Sequence, residues 1–88
     1  MARAEFELAF PGAKQVFVAG TFNDWKPDEL KMRRRTKGQD VFFRVLDLPP
    51  GTHEYKFVVD GEWQLDAHAP SAPNEFGANS VRTVDAEG

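Results

Sequence analysis

Hydrophobic and polar residues alternate with a period of two along most of the chain. Near the start, Phe6, Leu8 and Phe10 alternate with polar or small residues as far as Pro11, a pattern typical of a strand with one buried face. Comparable stretches, each bounded by turn-forming residues, follow throughout the sequence. The predicted strands cover residues 6–10, 14–20, 30–35, 41–48, 52–59, 62–66 and 79–84.

This pattern favours an all-β fold. Seven or so short strands, with turns every 8–12 residues and no amphipathic helical stretch, predict an antiparallel β-sandwich. A polar loop is expected at 21–28 and a long loop at 67–78. Without a repeat or a linker, we expect a single domain over 1–88, with its core at about 5–84 and a tail at 85–88.

The Asp60-Gly61 pair is the strongest hairpin signal in the chain. A two-residue turn there places Val58 opposite Trp63 and makes Lys56 a diagonal neighbour of Trp63. These side chains then share one face of the hairpin with Leu65. The other face, which we expect to turn toward the core, carries Tyr55, Phe57 and Val59.

The composition excludes several classes of function. The 88 residues carry a net charge of −3 and include no cysteine, which excludes disulfides and thiolate metal sites. The acidic balance argues against a nucleic-acid binder. No apolar stretch is long enough to span a membrane, and the first residues do not resemble a secretory signal. We therefore expect a cytoplasmic domain without a metal or cofactor.

Two tryptophans stand apart from the predicted core. Trp63 could cap a sheet edge, with the Lys56 stem across its ring, or it could contact a ligand. Trp25 could fold back under its polar loop or remain exposed. Two exposed indoles suit stacking on nucleobases or on sugar faces, and the negative net charge disfavours nucleobases.

Two segments carry a resemblance to a known family. Residues 18–25, VAGTFNDW, resemble V-x-G-[ST]-F-N-x-W, and residues 48–63, LPPGTHEYKFVVDGEW, resemble L-P-x-G-x-[HY]-x-Y-K-F-x-V-D-G-x-W. Both patterns are typical of carbohydrate-binding module family 48, which includes the glycogen-binding domain of the AMP-activated protein kinase β subunit. Shorter matches continue through residues 66–81, so the resemblance covers about 6–84.

The resemblance implies an early-set immunoglobulin-like sandwich that binds α-1,4-linked glucans such as glycogen or starch. Trp25 and Trp63 match the family's stacking tryptophans, while Lys56 and Asn79 match residues that hydrogen-bond sugar hydroxyls. Phe76 replaces a leucine that projects into the curve of the glucan. The last loop is one residue shorter than in the family and has Ala78 near the position of a threonine.

Other clusters have simpler interpretations. The basic residues 33–35 and Lys37 could attract phosphate, but a solvated strand face is the simpler interpretation. Asp24 and Asp66 could form a carboxylate pair for glycoside hydrolysis, but a small sandwich offers little room for a catalytic cleft. His53 is expected to be hydrogen-bonded or at the surface. No nucleophile motif, phosphate loop or metal-ligand spacing supports an enzyme.

The sequence therefore predicts a non-catalytic module whose partner is an α-glucan polysaccharide or oligosaccharide. The alternative is a protein-interaction or regulatory domain of a larger glucan-metabolising or kinase assembly, attached to a catalytic domain or subunit. Nucleic-acid binding through residues 33–37 is a third hypothesis.

Overall fold

The computed structural model describes residues 2–74 and 77–85, and these residues form an all-β structure. They contain no helix, and so none long and apolar enough to cross a membrane. The strands in this part of the chain are β1 (Ala2–Ala9), β2 (Val16–Gly20), β3 (Leu30–Lys31), β4 (Arg33–Arg34), β5 (Val41–Leu48), β6 (Gly51–Val59), β7 (Glu62–Gln64), β8 (Ser71–Asn74) and β9 (Gly77–Val84).

The strands form two antiparallel sheets. A three-stranded sheet has the order β1-β5-β4, and a larger sheet has the order β3-β2-β6-β9-β8, with β7 pairing with the end of β6. The inner faces of the two sheets meet in one apolar core, so the predicted antiparallel β-sandwich is confirmed.

The core follows from the alternation along the strands. Tyr55, Phe57 and Val59 of β6 are buried, as the hairpin register predicts. The Tyr55 ring packs edge-on against Phe6 of the opposite sheet, with ring centroids 4.8 Å apart. Because aromatic rings bury large areas, these contacts supply much of the stability of a cysteine-free domain.

The predicted Asp60-Gly61 hairpin is present. Val59 pairs with Glu62 and Val58 with Trp63, and both turn residues have positive φ, as a type I′ turn requires. The returning strand ends at Gln64, two residues earlier than predicted.

The prediction was wrong at residues 30–35, which form two short strands in different sheets instead of one. Leu30 pairs with β2 in the larger sheet, whereas Arg33 and Arg34 pair with β5 in the smaller sheet. The chain crosses between the sheets at Met32, whose side chain is 1% exposed and whose N–H donates to the Val16 carbonyl. One alternating run therefore closes one side of the sandwich.

The predicted long loop at 67–78 was also wrong in part, because Ser71–Asn74 form β8. β8 is an edge strand that pairs with β9 on one side. An edge strand tolerates proline, since one row of its backbone groups has no partner strand. Pro73, which favoured a loop in the sequence, is therefore compatible with a strand at this position.

Candidate functional site

Trp25 and Trp63 come together at one end of the larger sheet. Their ring centroids lie 6.4 Å apart, and the ring planes are inclined by 47°. Trp63 is 46% exposed on the short strand β7, whereas Trp25 is half-buried in the loop that follows β2. The two residues are 38 positions apart in the sequence, and the sequence did not predict their contact.

The Trp25 loop is fastened by the side chain of Asn23. The Gly20 N–H donates to Asn23 Oδ1 at 3.0 Å, and Asn23 Nδ2 donates to the Lys26 carbonyl at 3.1 Å. The Trp25 N–H donates to the Gly20 carbonyl at 3.0 Å. Asp24 and Trp25 both have positive φ, which is uncommon for residues with side chains. These hydrogen bonds hold the loop in the turn that presents the indole.

Gly20 lies where the loop leaves the sheet, and no larger residue fits there. A Cβ atom at this position would lie 2.4 Å from the Glu54 carbonyl oxygen and less than 3 Å from the Phe22 ring. Phe22 turns inward and packs against Phe6, with ring centroids 5.8 Å apart. In the motif G-T-F-N-x-W, Gly20 therefore permits the close approach to β6 and Phe22 anchors the loop in the core. The Asn23 side chain hydrogen-bonds the loop backbone, and Trp25 supplies a half-buried ring.

Lys56 and Asn79 lie on the same outer face of the larger sheet. Each is next to one member of the directly paired Tyr55 and Ser80, which face the core, so both side chains point outward on neighbouring strands. Lys56 is two residues from Val58, the partner of Trp63. Within residues 2–74 and 77–85, the Lys56 ammonium group forms no ion pair.

Glu54 lies beside the site, although the sequence did not identify it as a candidate residue. Its Oε1 accepts a hydrogen bond from Asn79 Nδ2 at 3.0 Å, which fixes the orientation of the amide. Glu54 pairs with Val81, two residues beyond Asn79, so Glu54 and Asn79 are diagonal neighbours. The β6–β9 register is the signal that would have identified Glu54, and the sequence alone did not provide it.

Asp66 anchors the segment that follows Trp63. Its Oδ2 accepts a 2.7 Å hydrogen bond from the Tyr55 hydroxyl, its Oδ1 accepts one from the His68 N–H, and its own N–H donates to the Ser80 hydroxyl. Burial, together with the adjacent Asp66 carboxylate, raises the pKa of Tyr55. Both carboxylate oxygens of Asp66 accept hydrogen bonds that stabilise the fold, so this residue has a structural role that does not require hydrolysis.

The remaining candidate residues fall outside this arrangement. Phe76 lies outside the described residues. His53 is buried, and its Nε2 is 2.8 Å from the Pro49 carbonyl oxygen, as expected for a hydrogen-bonded histidine. No cluster of three or more His, Cys, Asp or Glu suited to a metal ion occurs at positions 2–74 and 77–85.

Comparison with known proteins identifies the family. The family model described as the glycogen recognition site of AMP-activated protein kinase matches residues 5–87. The chain belongs to this family. The glycogen-recognition family is the one indicated by the motifs at residues 18–25 and 48–63, so the resemblance found in the sequence is confirmed.

Several relatives are β subunits of that kinase. The chain is 41% identical over 66 residues to 5′-AMP-activated protein kinase subunit beta-1 of Rattus norvegicus, a match that covers 75% of this chain and 23% of the rat protein. The corresponding subunit of Bos taurus is 39% identical over 74 residues, covering 83% of this chain and 26% of the bovine protein. The chain thus spans about a quarter of the length of these relatives.

Proposed function

We propose that this chain is a non-catalytic module that binds α-1,4-linked glucan on the outer face of its larger sheet. The observation that carries the proposal is the pair of indoles, Trp25 and Trp63, whose centroids are 6.4 Å apart on an accessible part of the domain. Membership in the glycogen-recognition family supports the choice of glucan.

The inclination of the rings favours a curved ligand. Two planes inclined by 47° cannot both lie flat against a straight, ribbon-like polysaccharide. They can each contact the C–H face of a glucose unit if the chain bends between the units, as an α-1,4-linked chain does. Apolar stacking on Trp25 and Trp63 then supplies most of the affinity.

Polar groups beside the rings set the orientation of the sugar. Lys56 has an ammonium group with three donors, and Asn79 keeps one amide hydrogen and its Oδ1 after donating to Glu54. Hydroxyl groups of glucose both donate and accept, so this pair can bind them on either side. Phe76 remains part of the proposal as an apolar contact, on the basis of the family resemblance alone.

We also propose that the chain forms one module of a larger assembly. We treat residues 1–88 as one module with its core at about 5–84, and the cysteine-free sequence supports a cytoplasmic location. The relatives are named as kinase subunits, so the module is proposed to be attached to, or associated with, a larger catalytic assembly that it directs to glucan.

Calorimetric titration with maltoheptaose tests the proposal. Wild-type protein should bind it saturably with a dissociation constant on the order of micromolar to millimolar, as expected for an open surface site. The double variant Trp25→Ala/Trp63→Ala should show no saturable binding. Phe43→Ala, which truncates an aromatic residue on the smaller sheet, is the matched control and should bind as the wild type does. Equal binding by the double variant would exclude this surface as the site.

A further inference from the structure

A groove with basic walls lies beside the crossing at Met32, where the chain passes from one sheet to the other. Its volume is about 440 Å³, which is within the range of small-molecule sites. Met32 and Phe42, both almost fully buried, form its floor. The basic side chains that line this groove, which we call the basic groove, are Lys14, Lys31, Arg33, Arg34 and Lys37.

Positive charge is concentrated at this place. The basic groove takes five of the eleven Lys and Arg residues of a chain whose net charge is −3. All other residues together therefore carry a net charge of −8, five units below that of the chain. Because the protein as a whole is acidic, the positive charge of this groove does not follow from its overall composition. The clustered cations attract small anions by focusing the local electrostatic field.

Arg34 is held in place before any ligand arrives. Its Nη2 donates to the Ala13 carbonyl at 2.9 Å and lies 3.5 Å from Asp40 Oδ1, and its guanidinium carbon lies 4.8 Å from the Phe42 ring centroid. A guanidinium group fixed in this way binds an oxyanion with little additional loss of conformational entropy.

The other four cations have little local compensation. Among the residues that the structure describes, no ion pair within 4.0 Å involves Lys14, Lys31, Arg33 or Lys37. The nearby Asp60 carboxylate accepts hydrogen bonds from the backbone N–H groups of Lys14 and Gln15.

Arg35, the third arginine of the run 33–35, differs from these four cations because ion pairs balance its charge. Arg35 points to the outer face of the smaller sheet, where it pairs with Glu5 and Glu7 and lies over the Phe43 ring. Its two ion pairs raise the pKa of Arg35. Arg33 and Arg34 line the basic groove and Arg35 does not, so the run serves two different surfaces.

We propose that the basic groove binds a phosphate group, either as free phosphate or as the monoester of a small organic molecule. Four cations that form no ion pair within 4.0 Å among the described residues, together with the fixed Arg34 guanidinium, match the charge and the several acceptor oxygens of such a group. A long polyanion such as a nucleic acid fits less well, because beyond the groove it would meet the acidic remainder of the surface. This site is distinct from the tryptophan pair and goes beyond the proposed glucan binding.

Calorimetry with inorganic phosphate and with glycerol 3-phosphate tests the proposal in a phosphate-free buffer at low salt. Wild-type protein should bind at least one of them saturably, with a roughly millimolar dissociation constant. Tighter binding of glycerol 3-phosphate identifies a monoester as the ligand, whereas tighter binding of phosphate identifies the free anion. In Arg33→Gln/Lys37→Gln, affinity should fall about tenfold or more, equivalent to about 1.4 kcal/mol.

Arg3→Gln/Arg35→Gln is the matched control, because it removes the same charge from exposed positions outside the groove. It should keep its phosphate affinity within about twofold of the wild type, because neither side chain lines the basic groove and Glu5 and Glu7 already balance the charge of Arg35. Equal losses in both double variants would overturn the proposal, as would the absence of saturable binding by the wild type. Preferential binding of an oligonucleotide with a steep salt dependence would overturn it in favour of nucleic acid. Maltoheptaose affinity should be unchanged in both variants, so either proposal can fail separately.

Discussion

Replacing Gly20 with alanine tests how the sheet positions the Trp25 loop. The added Cβ atom would lie 2.4 Å from the Glu54 carbonyl oxygen, 1.0 Å inside the 3.4 Å at which ordinary contacts begin, and 2.8 Å from the Phe22 ring. The carbonyl cannot retreat freely, because it accepts the Thr21 N–H at 3.0 Å. The backbone at residue 20 must therefore shift away from β6.

The expected cost follows from these contacts. Overpacking of this kind costs about 1–3 kcal/mol, and weakening the hydrogen bond between Thr21 and Glu54 adds about 1 kcal/mol. We expect the free energy of unfolding to fall by about 3 kcal/mol. The shift also moves the Gly20 carbonyl that accepts the Trp25 N–H. Losing the contact of one indole with glucan should weaken binding about tenfold, or about 1.4 kcal/mol.

Urea denaturation and maltoheptaose calorimetry measure the two effects. Gly38→Ala is the control, since Gly38 lies in a turn with φ +85 and has no atom within 4 Å of an added Cβ. That variant should lose about 1–2 kcal/mol from the left-handed backbone conformation alone, and it should bind maltoheptaose normally. If Gly20→Ala matched Gly38→Ala in stability and kept wild-type affinity, the role assigned to the close approach at Gly20 would be wrong.

Two further predictions concern pH. Because folding raises the pKa of Tyr55, the contribution of this hydroxyl to stability is complete below the ordinary pKa of 10.0 and is lost as the pH rises above that value. Tyr55→Phe should be about 1 kcal/mol less stable than the wild type at neutral pH, but its free energy of unfolding should fall less steeply as the pH rises. Equal slopes of stability against alkaline pH in the two proteins would contradict this. Hydrogen bonds from the backbone N–H groups of Gln15 and Lys14 lower the pKa of Asp60, so the contribution of this carboxylate to stability is complete above its ordinary pKa of 3.8 and is lost as the pH falls through the lowered pKa. In urea denaturation across this range, the free energy of unfolding of Asp60→Asn should fall less steeply with decreasing pH than that of the wild type. Identical slopes would show that these hydrogen bonds do not stabilise the fold.

The sequence was sufficient wherever structure depended on neighbouring residues. The bounds of β5 were predicted correctly because a stretch rich in Val, Phe and Leu fills 41–48 between the turn at 37–40 and Pro49-Pro50. The β6–β7 register followed from the two-residue turn, since that turn type fixes the pairing. The aromatic residues of β6 were assigned to the correct face for the same reason.

Long-range pairing accounts for what the sequence did not predict. The run 30–35 keeps its alternation while it changes sheets at Met32, so its pattern does not distinguish one strand from two. The contact between Trp25 and Trp63 depends on the pairing of β2 with β6 and of β6 with β7. Trp25 and Trp63 could be selected as candidates from the sequence, but their mutual geometry required the fold.

The alternation along β6 also separates the residues that maintain the fold from those that can diverge. Tyr55 and Phe57 face the core, whereas Lys56 between them faces outward, and Trp63 lies on the adjoining strand. Substitutions at Lys56 and Trp63 can therefore accumulate with little effect on folding, so descendants of one scaffold can lose, change or regain the glucan binding that we propose for this face. Protein engineers can use the same separation to vary specificity on this face while leaving the core sequence unchanged.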